Sequence, residues 1–148
     1  MSLIFSRPCE YALQAVLYLA LQPPEQMTTI KDLAKKLDIP SPFLAKILQN
    51  LSRKGLLTSL KGPAGGFMLA MPAKEITLLH IVEAIDGKAL FEKCVLGFPE
   101  CSGKNPCPVH ETWARLRENL RMMLMSKSIA QMAKETKKPK YLSLSNRK

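Results

Sequence analysis

The chain has 148 residues, 47% of them hydrophobic, and a net charge of +10 from 22 basic and 12 acidic side chains. That length suits one domain with an arm or tail. No apolar run is long enough to span a bilayer, and the N-terminus has no cleavable signal pattern, because Glu10 stands just before the apolar segment. A membrane partner is therefore not expected. The expected location is the cytoplasm, where cysteines serve as ligands or redox groups more often than as disulfides.

The charge is unevenly placed. Between Lys31 and Lys61 there are seven basic and two acidic residues, and from Lys127 to Lys148 seven and one, while the rest of the chain holds eight and nine. Two basic concentrations of this kind suit a protein that meets nucleic acid. Solubility and a solvated tail are the plainer explanation, and for residues 134–148 it stands equally well.

Along the chain, Ala12, Ala15, Val16, Leu19 and Ala20 recur at helical spacing and place a first helix over about 8–21. "QPPEQ" ends it. Thr29 is the expected N-cap of a short helix with Ile30, Leu33, Ala34 and Leu37 inward. After "DIP", Ser41 is expected to cap a third helix, with Pro42 at its first position and Leu44, Ile47, Leu48 and Leu51 as its apolar stripe. Gly55 is the expected left-handed end of that helix. Two apolar segments around Gly62, Pro63, Gly65 and Gly66 read as a β-hairpin. Thr77 caps a fourth helix that stops at Asp86–Gly87 and carries His80 as a surface or core residue. A long helix over about 109–125 has Val109, Trp113, Leu116, Leu120 and Met123 spaced as a heptad seam, the pattern of a helix that pairs with another. Ser126 and Ser128 mark a break before "IAQMA".

The expected fold is mainly α: a winged helix-turn-helix DNA-binding domain plus a long dimerisation helix. The organisation follows as residues 1–88 for the winged domain, 89–108 for a cysteine loop, 109–133 for the dimer-helix region and 134–148 for a basic, disordered tail. The third helix turns Ala45, Lys46, Gln49, Asn50 and Arg53 away from its apolar stripe. None is acidic, and the polar ones can donate to base edges and phosphates. Ser41, with Pro42 beside it at the helix start, suits a phosphate. Lys61, Gly62, Pro63, Gly65 and Gly66 form a wing able to reach a neighbouring groove. A solvated helix face is the alternative, weakened by the hairpin directly after the helix.

Between the fourth and the long helix lies "FEKCVLGFPECSGKNPCPVHETW", with the spacing Cys94-x6-Cys101-x5-Cys107-x2-His110. Thiolates are soft ligands for iron–sulfur clusters, zinc or copper(I). A loop rich in glycine and proline can bring three sulfurs to one centre, and His110 follows at the start of the long helix. A disulfide fits the compartment poorly, and unrelated free cysteines fit the density of the cluster poorly. Structural zinc matches the donor set but lacks a C-x2-C knuckle. An iron–sulfur cluster remains the leading reading. Cys9 reads as a half-buried helix residue unrelated to this group.

The segment "TTIKDLAKKLDIPSPFLAKILQNLSRKGLLTSLKGPAGGFMLA", together with "YAL" near the N-terminus and "SIAQMA" after the long helix, resembles the Rrf-two family of bacterial transcription regulators over about 3–132. The "KGPAGG" wing following "KGLL" is the more specific part. The resemblance implies a homodimer with crossed long helices that binds palindromic operator DNA, with Trp113, Leu116, Leu120 and Met123 at the interface. A repressor is the expected mode of regulation, and the resemblance implies that Cys94, Cys101 and Cys107 hold an iron–sulfur cluster, although the first gap is one residue longer than the common spacing. In IscR-like members a histidine at the place of His110 completes a 2Fe–2S site. In NsrR-like members a carboxylate from the partner's first helix, at about the place of Glu10, completes a 4Fe–4S site. His110 and 2Fe–2S are preferred, with Glu10 as the alternative fourth ligand. Ala45 stands where some members carry an acidic residue, which implies a different operator preference. A zinc-stabilised or cluster-free thiol-responsive regulator and, remotely, an electron-transfer protein are the other readings. No nucleotide-binding glycine motif is present, so neither an enzyme nor a small-molecule substrate is expected.

Overall fold

The computed structural model describes residues 4–136, so most of the expected basic tail (134–148) lies outside the described residues. The elements run α1 (Arg7–Ala20), α2 (Ile30–Leu37), α3 (Ser41–Arg53), β1 (Leu57–Leu60), β2 (Gly66–Leu69), a 3-10 turn (Ala73–Glu75), α4 (Leu78–Asp86), α5 (Ala89–Glu92), α6 (His110–Ser126) and α7 (Ile129–Glu135). This is the mainly helical, winged helix-turn-helix architecture expected from the sequence.

Local chemistry accounts for most boundaries. The Ser6 hydroxyl accepts from the Cys9 N–H at 3.2 Å and starts α1; Thr29 does the same for α2 through the Asp32 N–H at 3.1 Å. Helix α3 differs from expectation. Its N-cap is Pro40, Ser41 is already helical, and no side chain caps it. Pro40 holds the extended backbone (φ −56°, ψ 131°) from which a helix can start, so the ring does what the hydroxyl was expected to do. At its far end Gly55 has φ +81°. The Leu56 N–H donates to the Leu51 carbonyl and the Gly55 N–H to the Ser52 carbonyl, each at 3.0 Å. These are the paired bonds of a Schellman cap.

Strands β1 and β2 are antiparallel, with Leu57 opposite Leu69 and Leu60 opposite Gly66. A third segment joins them: Thr28, just before α2, exchanges two backbone bonds with Phe67, at 3.0 and 2.8 Å. The wing is thereby tied to the start of the helix-turn-helix, a link the sequence pattern gave no reason to expect.

The main core collects Ala12, Ala15 and Val16 of α1, Leu33 and Leu37 of α2, Leu44, Leu48 and Leu51 of α3, Phe67 of the wing, Ile81 of α4 and Ile129 of α7. Burying the larger of these side chains, valine and above, contributes about 1.5–3 kcal/mol each. Helix α7 is more than the short segment expected. Ser128 and Gln131 form a capping box, and the Ile129 N–H reaches the Ile76 carbonyl at 2.6 Å. Lys134 and Glu135, placed in the tail by the sequence reading, are part of this helix.

A smaller cluster of Cys9, Leu79, Val82 and Leu124, with Leu120 and Phe91 beside it, joins α6 to α1 and α4. Cys9 is fully buried here rather than half-buried. Burial, with the charges of Asp86 and Glu10 behind it, pushes its thiol up to about 12. Leu124 is the one buried residue of α6 among those described. His80 is exposed and completes the α4 capping box with Thr77, its Nδ1 accepting from the Thr77 N–H at 3.1 Å. No described helix is long and apolar enough to cross a membrane.

Candidate metal centre and nucleic-acid interface

The segment between α4 and α6 opens with the single helical turn α5 and then runs irregularly through three prolines to His110. It brings the three cysteines together: Cys94, Cys101 and Cys107 offer sulfurs that all lie within 4.8 Å of one another. Cys94 and Cys107 Sγ are 3.5 Å apart, well beyond disulfide bond length. The Cys101 Sγ accepts from the Cys107 N–H at 3.4 Å and lies 3.3 Å from His110 Nδ1. His110 is the first residue of α6, so the helix start aims its ring at the sulfur group. Cys94, Cys101, Cys107 and His110 share one cavity of about 270 Å³.

Electrostatics separates the thiols. Burial opposes ionisation of Cys94, yet the N–H groups of Phe98 and Leu96 and the thiols of Cys107 and Cys101 outweigh it and lower the group to about 7. Cys107 is shifted the other way, by burial and by the competing Cys94 and Cys101 sulfurs. One thiol is thus readied as a thiolate, the form that binds metal. Three soft sulfurs and one imidazole at one point fit a thiolate-ligated iron or zinc centre, and equally a cluster with three cysteine ligands. Glu10 is not part of this group. It lies on the first turn of α1, 4.0 Å from Arg7.

The other candidate surface lies across α3 and the wing. Gln49 and Arg53 of α3 face Lys61, Gly62, Gly65 and Gly66 across a groove of about 650 Å³. Ser41, Pro42 and Lys46 are exposed on the same helix outside the groove lining, Asn50 is half-buried, and Pro63 is exposed at the wing tip. Thr29, Ile30, Ser52 and Ser59 also line the groove. The sequence did not mark these four as groove residues; Thr29 and Ile30 are brought to the wing by the Thr28–Phe67 pairing. The two glycines at the wing base are fixed by close approach. A Cβ on Gly65 would stand 2.0 Å from the Leu60 carbonyl oxygen, and one on Gly66 2.3 Å from that of Thr28.

The heptad residues of α6 divide between two faces. Leu116 and Met123 are exposed, and Met122 and Met125 beside them add apolar surface. Leu120 packs on the small cluster within its own chain. Trp113 is half-buried, and its indole N–H donates to the Lys93 carbonyl at 2.9 Å.

Known proteins share this architecture. A helix-turn-helix (HTH)-type transcriptional regulator of Aquifex aeolicus (strain VF5) is 40% identical over 120 residues, 80% of this chain and 83% of that protein. The transcriptional regulator IscR of Xenorhabdus nematophila is 29% identical over 124 residues, 84% of this chain and 75% of its own. Among solved structures, CymR, the global cysteine regulator of B. subtilis, superposes with a TM-score of 0.77 at 24% identity, over 91% of this chain and 99% of that one. T. potens IscR gives a TM-score of 0.71, also at 24% identity, over 91% and 89%. These two likenesses concern the fold. The family described as Rrf2, iron-dependent transcriptional regulator, matches residues 5–135, and the chain belongs to that family.

Proposed function

We propose that this protein is a cytoplasmic, homodimeric DNA-binding repressor that reads iron–sulfur status, redox state or nitric oxide through a centre held by Cys94, Cys101, Cys107 and His110. The observation that carries the reading is the convergence of three sulfurs within 4.8 Å, with His110 Nδ1 3.3 Å from Cys101. That convergence lies in a family member, at the start of the helix expected to form the dimer. A 2Fe–2S cluster is preferred over 4Fe–4S because His110 supplies a fourth donor from the same chain. The partner's Glu10 is the alternative.

When bound, the cluster supplies a centre that changes charge on oxidation or reduction and is destroyed by nitric oxide. The protein's own part is mechanical. Binding pins the loop before α6 and so fixes the start of that helix. Leu116 and Met123, with Trp113 and Leu120 alongside, make the seam between two copies. On palindromic operator DNA each copy presents Ser41, Pro42, Lys46, Gln49, Asn50 and Arg53 to the major groove, and Lys61, Gly62, Pro63, Gly65 and Gly66 to the neighbouring backbone. Because half-sites are spaced by the helical repeat, a small change at the dimer helix alters affinity. The reading includes neither a catalytic step nor a small-molecule substrate.

The test is anaerobic purification with visible absorption, iron and sulfide counts, and operator binding before and after removal of the centre. A coloured protein with iron and sulfide, whose DNA affinity changes on stripping, is expected. Colourless protein with stoichiometric zinc, or equal affinity in both forms, overturns the proposal. If Glu10→Ala alters the spectrum and His110→Ala leaves it untouched, the fourth ligand is Glu10.

A further inference from the structure

His110, Trp113 and Arg117 are three and four residues apart on α6, so they form one stripe on its surface. That stripe faces the cysteine segment. The carbonyl of Lys93, the residue before Cys94, accepts from Trp113 Nε1 at 2.9 Å and from Arg117 Nη1 at 3.3 Å. Trp113 and Arg117 also line the cavity that holds the three thiols and His110.

Arg117 differs in its pairing from Arg121, the other half-buried arginine among the described residues. It is half-buried, yet among the described residues no carboxylate lies within 4.0 Å of its guanidinium. Arg121, one turn further along, is paired with Glu118 at 2.9 Å. A partly desolvated cation needs compensating charge, and the one carbonyl it binds supplies only a dipole. Glu92 lines the same cavity beyond ion-pair range. The groups that acquire negative charge beside Arg117 are the cysteines, which must be deprotonated to bind metal.

We infer that Arg117 is a positioning residue and the charge partner of the cysteine centre. It sets the approach of Cys94 through the Lys93 carbonyl, and it favours the loaded state, most strongly when the centre is most negative. This rests on the cysteine-centre reading above. Trp113 shares the positioning role but carries no charge, and this difference makes the two separable.

The experiment titrates the reduced, metal-free full-length protein with Co(II), following the thiolate-to-metal charge-transfer absorption. It compares wild type with Arg117→Met, Arg117→Lys and Trp113→Phe, with circular dichroism of each metal-free form as the folding control. The midpoint potential of each variant reconstituted with iron and sulfide is the second readout. Outer-shell partners of metal ligands are typically worth 10- to 100-fold in affinity, so Arg117→Met is expected to weaken Co(II) binding about tenfold or more, with partial recovery in Arg117→Lys. Arg117→Met also lowers the potential, about 59 mV for each tenfold loss of preference for the one-electron reduced form. Trp113→Phe weakens binding and leaves the potential in place. The inference falls if Arg117→Met matches wild type in both readouts, or if Trp113→Phe moves the potential as far. A wild-type titration with no charge-transfer band, unchanged by Cys94→Ser, removes the cysteine centre and this inference together. A normal wild-type band with silent Arg117 variants removes the inference alone.

Discussion

Gly66→Ala probes how the wing is anchored. Gly66 has φ +142°, and an added Cβ would sit 2.3 Å from the Thr28 carbonyl oxygen and 2.6 Å from its carbon. Both are backbone atoms, so no rotamer change relieves the overlap. The strand must retreat from Thr28, and the two bonds between Thr28 and Phe67, at 2.8 and 3.0 Å, are the first to lengthen. Each contributes about 1 kcal/mol net, and the unfavourable backbone region costs an L-residue about 1–3 kcal/mol more. Strain and bond loss trade against each other, so a total of about 3 kcal/mol is expected, a large part of a typical 5–15 kcal/mol stability. Gly62→Ala is the control: φ is +106°, but its Cβ meets nothing within 4 Å, so only the conformational cost applies. Urea unfolding followed by far-UV circular dichroism gives the two values, and operator binding should weaken with Gly66→Ala because the groove beside α3 loses its floor. Equal costs for the two variants, or a Gly66→Ala protein as stable as wild type, would refute the close-approach argument.

Four further outcomes follow from the same geometry. Leu124→Ala should cost about 2–5 kcal/mol in urea unfolding, the range for emptying a buried leucine site; a cost under about 1 kcal/mol would mean that the site collapses or that α6 is not held there. Leu116→Glu, at a position 61% exposed, should leave the fold intact and convert dimer to monomer in sedimentation velocity; an unchanged dimer removes this seam. Arg53→Ala or Lys61→Ala should each reduce the slope of log K against log salt by roughly 0.9 if each neutralises one phosphate, and an unchanged slope excludes that contact. In the metal-free protein, alkylation of Cys94 by iodoacetamide should reach half its limiting rate near pH 7, whereas Cys9, raised from 9.0 to about 12, stays protected. Because the folded-state value of Cys9 is the raised one, its contribution to stability is complete below about pH 9 and declines as pH rises towards 12; rapid alkylation of Cys9 in the folded chain would contradict its burial.

Where the sequence was readable, local rules decided the outcome. The apolar stripes of α1, α2 and α3, the Gly55 cap and the glycine-rich wing are all set by residues close in the chain. Ser41 misled because Pro40 fixes the same extended backbone without a side-chain bond. The Thr28–Phe67 pairing was invisible because it joins residues 39 positions apart through backbone alone, which leaves no side-chain signature. The seam on α6 divided because a heptad pattern cannot tell the core of its own chain from a partner. Leu120 went inward, and Leu116 and Met123 stayed out. The convergence of Cys94, Cys101, Cys107 and His110 was legible from spacing. The hold of Trp113 and Arg117 on the Lys93 carbonyl was not, since the acceptor is backbone.

Helix α6 is fastened to the winged domain unevenly, and this gives it the mechanics of a lever. Its one buried side chain, Leu124, sits near the C-terminal end, while His110 and the sulfur group lie at the other. At 1.5 Å per residue the arm between them is about 21 Å long. A tilt of about 5° around Leu124 therefore carries the cysteine end through about 2 Å, a displacement comparable to a metal–ligand bond. Because α1 and α4 both meet at the Cys9–Leu79–Val82 cluster around Leu124, the C-terminal end of α6 is the part joined to the body that carries α3.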